Sequence, residues 1–329
     1  MALIDSFGRT IHYLRVSITD RCNLNCDYCR IDGNELLPNN DKLLSLEETG
    51  RLIKIFTQLG IERIRLTGGE PLLRNNVLSL IKEIGSLPNL QELSLSTNAL
   101  LLKRYAHDLK KAGVGRVNIS LDTLNPKTFS TITRGGKLQK VLDGIATAVA
   151  AGLHPVKINM VVMKGINENE VGDMVEYARH HGLILRFIET MPVGDAGKQV
   201  SDRYIPAEQI LTMIKDRFSS ELIPVHQKVG SGPARYYKIG NSKANIGVIS
   251  ARSRHFCETC NRMRLTSTGQ LVLCLGHEDR SDLRKFIRDG ATDEQLKEQI
   301  IRGVSLKPES HQFNNNSHGA THQMTALGG

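Results

Sequence analysis

The stretch Cys22-Asn-Leu-Asn-Cys26-Asp-Tyr28-Cys29 sets three cysteines at intervals of four and three. A loop with that spacing can wrap its thiolates around one face of an iron–sulfur cube. Thiolates are the usual ligands of such clusters, and a cube ordinarily takes four. No fourth cysteine lies nearby, so one iron is left without a protein ligand, much as a catalytic zinc site keeps one position open for chemistry. A structural zinc site is the competing reading. It needs four ligands at short spacing, and the nearest histidines are His12 before the loop and His107 after it.

All six cysteines fall into two groups of three: 22, 26 and 29, then 257, 260 and 274. A disulfide scaffold belongs to smaller, secreted chains. Two metal clusters in a reducing compartment account for all six. The second group reads Cys257-Glu-Thr-Cys260-Asn-Arg262-Met263-Arg264 and closes at Cys274, with room for a hairpin turning at Ser267-Thr268-Gly269. Here zinc stays open on spacing alone, because His255 or His277 can supply a fourth ligand.

The 329 residues suffice for one large domain or two ordinary ones, and no apolar run approaches the length needed to cross a bilayer. The first ten residues lack the basic and apolar segments of a secretory signal, so the cytoplasm is the expected compartment. The net charge of +9 suits an anionic ligand, nucleic acid or polyphosphate, and equally suits plain solubility. With no Trp and few Tyr or Phe, stacking on nucleic acid is disfavoured.

Around the first cysteine loop the chain alternates strand and helix. Residues 13–18 are β-prone, and Ser45 with Glu48 forms a capping box for a helix carrying Leu52, Ile55, Phe56 and Leu59. The same pattern of helix, glycine and strand recurs to Leu183–Ile188, giving six strands, each but the last followed by a helix. This predicts an α/β fold with a parallel sheet, an incomplete (β/α)6 TIM-like barrel. A doubly wound sheet is the alternative, although no Gly-x-Gly-x-x-Gly follows the first strand. The conspicuous polar residues stand at strand ends: the cysteine loop, Gly68-Gly69-Glu70, Ser96-Thr97-Asn98, Ser120-Leu-Asp122 and Glu189-Thr-Met191. In parallel barrels such ends build the active site. Arg15 and Lys157 sit inside strands among apolar neighbours. Each is either an outward, snorkelling cation or an inward one facing an anion.

Cysteine spacing, Tyr28 before the third cysteine and Gly68-Gly69-Glu70-Pro71 together resemble the radical S-adenosylmethionine (SAM) superfamily. Over nearly its full length the chain is similar to the family of that superfamily which cyclises GTP at the start of molybdenum cofactor biosynthesis. The resemblance implies two [4Fe–4S] clusters, on Cys22, Cys26 and Cys29 and on Cys257, Cys260 and Cys274, the second binding the guanine base. It assigns SAM contacts to Tyr28, Gly69, Ser120 and Met191, although a methionine such as Met191 more often serves plain packing. It assigns GTP contacts to Arg15, Arg65, Ser96, Lys157, Arg262, Met263 and Arg264. It brings the terminal Gly328-Gly329 into the active site as a catalytic aid, where composition alone suggests a frayed end or a carrier-type tail. Three departures from the family pattern stand out: Ser96 for Thr, Ala99 for Gly and Arg30-Ile31 for Met-Pro.

The expected organisation is a barrel over 1–192, a small α+β cap with the second cluster over 193–302, and a flexible tail over 303–329. The implied partners are GTP, a reducing electron donor and, downstream, cyclic pyranopterin monophosphate synthase. A homodimer stays open. Two rival functions are a radical SAM enzyme acting on RNA or peptide and a metal-bearing nucleic-acid binder without SAM chemistry.

Overall fold

The computed structural model describes residues 2–29, 40–226, 232–240, 245–311, 313 and 324–328. The Arg30-Ile31 departure and Gly329 lie outside them. A short antiparallel hairpin, β1 (Leu3–Ile4) and β2 (Thr10–Ile11), comes first. Six strands follow: β3 (Tyr13–Ser17), β4 (Arg63–Thr67), β5 (Glu92–Thr97), β6 (Arg116–Ser120), β7 (Lys157–Val161) and β8 (Ile184–Ile188). They pair in parallel and in chain order, with no reversal. A doubly wound sheet reverses its order at a switch point, and this run has none.

Helices α1 (Leu46–Gln58), α2 (Val77–Gly85), α3 (Leu102–Lys111), α4 (Pro126–Thr133), α5 (Leu138–Ala150) and α6 (Val171–His180) connect the strands. The expected capping box starts α1: Ser45 Oγ accepts from the Glu48 amide at 3.1 Å, and Glu48 Oε2 accepts from the Ser45 amide at 2.7 Å. Successive strand residues face opposite sides of a sheet. Leu14, Val16, Ile64, Leu66, Leu95, Ile119 and Phe187 join one buried cluster with Leu52, Phe56, Ile81, Leu109, Ile145 and Met174 of the helices. The alternate set, Arg15, Arg65, Asn118, Lys157 and Arg186, faces the other way.

After α7 (Gly194–Gln199) and α8 (Ala207–Phe218) come β9 (Leu222–Val225), β10 (Arg235–Ile239) and β11 (Asn245–Ile249). β11 pairs in parallel with β8, while β12 (Arg262–Leu265) pairs in parallel with β3 at the far edge. β13 (Gln270–Val272) and β14 (Arg280–Asp282) extend that edge antiparallel, with the hairpin turn at Ser267-Thr268-Gly269 as expected. The C-terminal strands therefore enter the same mixed sheet of 12 strands, at both of its edges. A strand edge exposes unpaired amides and carbonyls, and these additions satisfy them. α9 (Leu283–Arg288), α10 (Asp293–Ser305) and α11 (Met324–Leu327) complete the α/β fold.

Glu189, fully buried just past β8, ties the first part of the chain to the second. Its carboxylate accepts from the Ala207 amide at the start of α8 (2.8 Å) and from the Arg252 (2.8 Å) and Ser253 (3.1 Å) amides. No described helix is long and apolar enough to cross a membrane.

Ala99, after β5, holds a left-handed backbone at φ 62°. The turn keeps the conformation that glycine favours and carries a Cβ there at a cost of about 1 kcal/mol. Ala99→Gly is expected to raise stability by up to about 1 kcal/mol, less the entropy that glycine loses on folding. The midpoint of anaerobic urea unfolding measures it; an unchanged or lower midpoint contradicts the strain.

Candidate active site

The C-terminal ends of the parallel strands and the two cysteine loops enclose one cavity of about 300 Å³. All six cysteines line it. So do Tyr28, Gly69, Ser120 and Met191, and so do Arg15, Arg65, Ser96, Arg262, Met263 and Arg264. The five strand-end loops thus open on one site. Lys157 lies buried on the same face of the sheet, its amino group 5.8 Å from the Tyr236 ring centroid.

The first cysteine loop is held on several sides. The Cys29 amide donates to the Cys26 carbonyl at 2.9 Å, and the Asn98 side-chain amide reaches Cys22 Sγ at 3.6 Å. Tyr28 donates its hydroxyl to Asp122 at 2.7 Å, and Asp122 also accepts from the Val161 amide at 2.8 Å. Burial pushes the Asp122 carboxyl up to about 6 against those two bonds. Gly68 and Gly69 press against the start of the loop: a Cβ on Gly68 would stand 2.4 Å from the Thr19 carbonyl oxygen, and one on Gly69 2.3 Å from that of Arg21. Only glycine permits this approach. Glu70, fully buried, accepts from the Asn98 amide at 2.8 Å and from Thr97 Oγ1 at 2.9 Å, while burial raises its pKa to about 7.

A single zinc ion draws its donors tightly around one point. Among the described residues no three Cys, His, Asp or Glu side chains are gathered in that way. All three members of each triad line the cavity. Burial holds the Cys26 thiol well above its usual range, with Cys29 and Asp122 adding to the effect. Cys260 differs: burial raises it, but Arg262 and Lys307 outweigh burial and bring it to about 7. The two triads thus differ in setting: an apolar, acid-flanked surround at Cys26 and a cationic one at Cys260.

The histidines weighed for the second triad do not line the cavity. His277 Nε2 lies 2.8 Å from the Ser310 carbonyl oxygen, and His255 meets the His311 ring edge-on at 5.8 Å. The histidine on the cavity wall is His311. Its backbone amide donates to Cys257 Sγ at 3.5 Å. Burial and His255 lower its pKa, with the Ala251 carbonyl acting the other way.

The sheet face beneath the cavity is strongly cationic. Register places Arg264, Arg15 and Arg65 side by side across β12, β3 and β4. Arg186 adds a fourth guanidinium to the wall. None of these four forms an ion pair with a carboxylate among the described residues, and Arg15, Arg65 and Arg186 each keep a buried Nε without a hydrogen-bond partner there. Burial, reinforced by neighbouring cations, lowers Arg15 well below its usual value and brings Arg186 and Arg264 to about 10. Asn118 accepts from Arg186 at 2.6 Å and from Arg116 at 3.2 Å, while Arg116 pairs with Glu92 at 2.5 Å. A face built this way fits a polyanion. Arg186 escaped attention in the sequence, although it obeys the same rule as Lys157: a cation within an apolar strand.

The tail also reaches the site. Leu327 is buried, and Arg264 donates to the carbonyls of Leu327 and Gly328. Gly328 has φ 68°, and a Cβ there would lie 2.3 Å from Thr67 Oγ1. Phe313 and Leu327 pack with Val193, Ala251 and Val272 in a second small core. Lys307, buried, donates to the Leu273 carbonyl. A polar composition concealed these few apolar anchors.

Comparisons with known proteins agree with this site. The family model for the radical SAM superfamily matches residues 16–178, and that for molybdenum cofactor synthesis C matches 183–313. The GTP 3′,8-cyclase of Hydrogenovibrio crunogenus is 49% identical over the whole of both chains. That of Nitrobacter hamburgensis is 46% identical over 99% of this chain and 96% of its own. Streptococcus suis SuiB bound to S-adenosylmethionine shares the fold alone, with a TM-score of 0.64 at 14% identity over 88% of this chain and 68% of its own. The fold and the first cysteine loop are those of a radical SAM enzyme. More narrowly, the chain belongs to the GTP 3′,8-cyclase family.

Burial, with Arg186, Arg116 and Arg65 adding to it, lowers Lys157 to about 7 from 10.5. The folded protein therefore binds fewer protons at this site than the unfolded chain between those values, and stability rises with pH across that window. Lys157→Met is expected to remove this contribution. In nucleotide-free protein the stability gap between variant and wild type should favour the variant most near pH 7 and shrink toward pH 10. Urea midpoints across that range measure it, and a gap independent of pH contradicts the assignment.

Proposed function

We propose that the chain cyclises GTP to (8S)-3′,8-cyclo-7,8-dihydroguanosine 5′-triphosphate, the first step of molybdenum cofactor biosynthesis. One observation carries the reading: a row of arginines without carboxylate partners among the described residues shares a cavity with two separate cysteine triads. The family supplies a SAM-binding [4Fe–4S] cluster for Cys22, Cys26 and Cys29. A second [4Fe–4S] cluster on Cys257, Cys260 and Cys274 is our inference from the donor set on the opposite wall. When bound, the first cluster with SAM and one electron from the donor would supply a 5′-deoxyadenosyl radical able to take hydrogen from C3′ of GTP; closure of C3′ onto C8 would then take up one further electron and a proton.

The chain's own residues position the two substrates. Gly68 and Gly69 let the segment that leads into the first loop seat directly on their backbone at the cavity wall. Tyr28, Ser120 and Met191 stand on the wall where SAM is expected, with Tyr28 fixed by Asp122. Arg15, Arg65, Arg262, Arg264 and Lys157 would neutralise the triphosphate, and a guanidinium can bind it with two nitrogens at once. Ser96, whose buried hydroxyl has no partner among the described residues, faces the same space. Met263 lies between the two arginines of its strand and belongs to both wall and core. Gly328, with Gly329 beyond it, brings the tail against Arg264, where it would close the cavity to water and aid catalysis. Water exclusion strengthens each of these charge contacts.

We read the architecture as an incomplete (β/α)6 barrel over 1–192. The auxiliary-cluster region over 193–302 extends it at both edges, and in the tail over 303–329 the described residues Phe313 and Leu327 are anchored beside the cavity. A low-potential electron donor, a cytoplasmic setting and delivery of product to cyclic pyranopterin monophosphate synthase complete the proposal.

Anaerobically loaded protein with dithionite and SAM is expected to form 5′-deoxyadenosine at least about tenfold faster with GTP than with ATP or no nucleotide. Arg15→Ala should remove most of that stimulation, because a buried charge-assisted contact of this kind contributes about 1.5–3 kcal/mol. Cleavage indifferent to GTP, or stimulated only by RNA or peptide, contradicts the substrate. Absence of cleavage from protein with both clusters loaded contradicts the reaction.

A further inference from the structure

Of the strand-end run Ser96-Thr97-Asn98, only Ser96 has a part in the reading above. Asn98 lines the same cavity, beside the first cysteine loop. Its backbone is held: the amide donates to Glu70 at 2.8 Å, and Ala99 after it takes the left-handed turn. Its side chain is held at both ends. Oδ1 accepts from the Leu100 amide at 3.1 Å, a local turn that asparagine forms with the residue two places on. A backbone amide only donates, so the end of the side chain facing Leu100 is the oxygen and the other end is the NH2 group. That group has two hydrogens and two acceptors. Nδ2 lies 2.8 Å from Asn23 Oδ1 and 3.6 Å from Cys22 Sγ. Sulfur is larger than oxygen, so a longer contact to it is still a hydrogen bond. The Leu24 amide donates to the same sulfur at 3.4 Å.

We infer that Asn98 tunes the first cluster, donating from Nδ2 to the Cys22 thiolate and raising the potential at which the cluster accepts its electron. Hydrogen bonds to the sulfurs are one of the levers on the potential of an iron–sulfur cluster, and groups behind the ligands supply them. One electron from the donor adds one negative charge to the cluster and its thiolates. A fixed N–H aimed at one of those sulfurs stabilises the reduced form more than the oxidised one. Asn98 acts through Cys22 and is a positioning residue. The inference rests on the assignment of Cys22, Cys26 and Cys29 to a cluster in the reading above.

Redox titration of anaerobically loaded protein, followed by electron paramagnetic resonance, tests it without turnover. SAM changes the spectrum of the cluster it binds, which separates the first cluster from the second. Asn98→Ser and Asn98→Asp both keep an acceptor for the Leu100 amide and lose the N–H. The serine variant is expected to be reduced about tenfold less favourably than wild type, a fall of about 59 mV for one electron. The aspartate variant should fall further, because a carboxylate oxygen then faces the thiolate. Asn23→Ala removes the neighbouring bond and leaves the N–H on Cys22, so it should move the potential much less. The second cluster should keep its potential in all three. An unchanged potential in the serine and aspartate variants overturns the inference. So does an equal fall in the Asn23 variant, which would make the effect one of loop structure. Loss of the first cluster from both Asn98 variants also overturns it, since Asn98 would then support iron binding rather than tune it. A wild type with no SAM-sensitive cluster overturns the functional reading itself.

Discussion

Too many cations share one face of this sheet. Arg15, Arg65, Arg186 and Arg264 stand within a few strands of one another, without carboxylate partners among the described residues, and Lys157 is buried beside them. Taking a guanidinium out of water without a carboxylate beside it costs several kcal/mol, which neutral acceptors such as Asn118 for Arg186 and the tail carbonyls for Arg264 offset only in part. The lowered pKa values of Arg186, Arg264 and Lys157 record that cost. On the reading proposed above, the triphosphate of the substrate would supply the charge that the four arginines lack. Stability given up in the empty protein reappears as affinity for a polyanion, and the parallel register of β12, β3 and β4 holds the charges in place.

The carboxylates near the cavity serve another purpose. Glu70, Asp122 and Glu189 are each buried, and each accepts from backbone amides of a neighbouring loop. They hold the strand-end segments in position, and none of them pairs with Arg15, Arg65, Arg186 or Arg264 among the described residues. The first cysteine loop is fixed through Tyr28 and Asp122, while the second is joined to the tail through Cys257 and His311. Two cysteine triads line one cavity with Arg15, Arg65, Arg186 and Arg264, and on the proposed reading they would hold a nucleotide's base and sugar at defined depths. Holding two reactants in a near-attack arrangement is worth a large part of a barrier, and it requires this rigidity.

The parallel run was legible because it repeats one pattern: an apolar helical stripe, a glycine and a β-prone segment. Both cysteine triads were legible because their spacing has few other uses. Arg15 and Lys157 were ambiguous, since a strand cation has two faces to choose from and sequence does not say which is inside. Arg186 had the same signature and was passed over. The C-terminal strands read as a separate cap because pairing to the edges of a distant sheet leaves no local signal. Residues beyond 302 read as an unanchored tail because Phe313, Leu327 and Lys307 are sparse, although each is buried. His311 became visible only once the fold brought it to Cys257.

The central claim is that SAM at one cysteine triad and GTP at the other meet in a single cavity, with the ribose between them. Deuterium at C3′ of GTP tests this directly. Under single-turnover, anaerobic conditions, mass spectrometry of the 5′-deoxyadenosine formed is predicted to show one deuterium per molecule, carried from C3′. Unlabelled 5′-deoxyadenosine, formed at an undiminished rate in the presence of the labelled nucleotide, would contradict the placement of the two ligands and the account built on it.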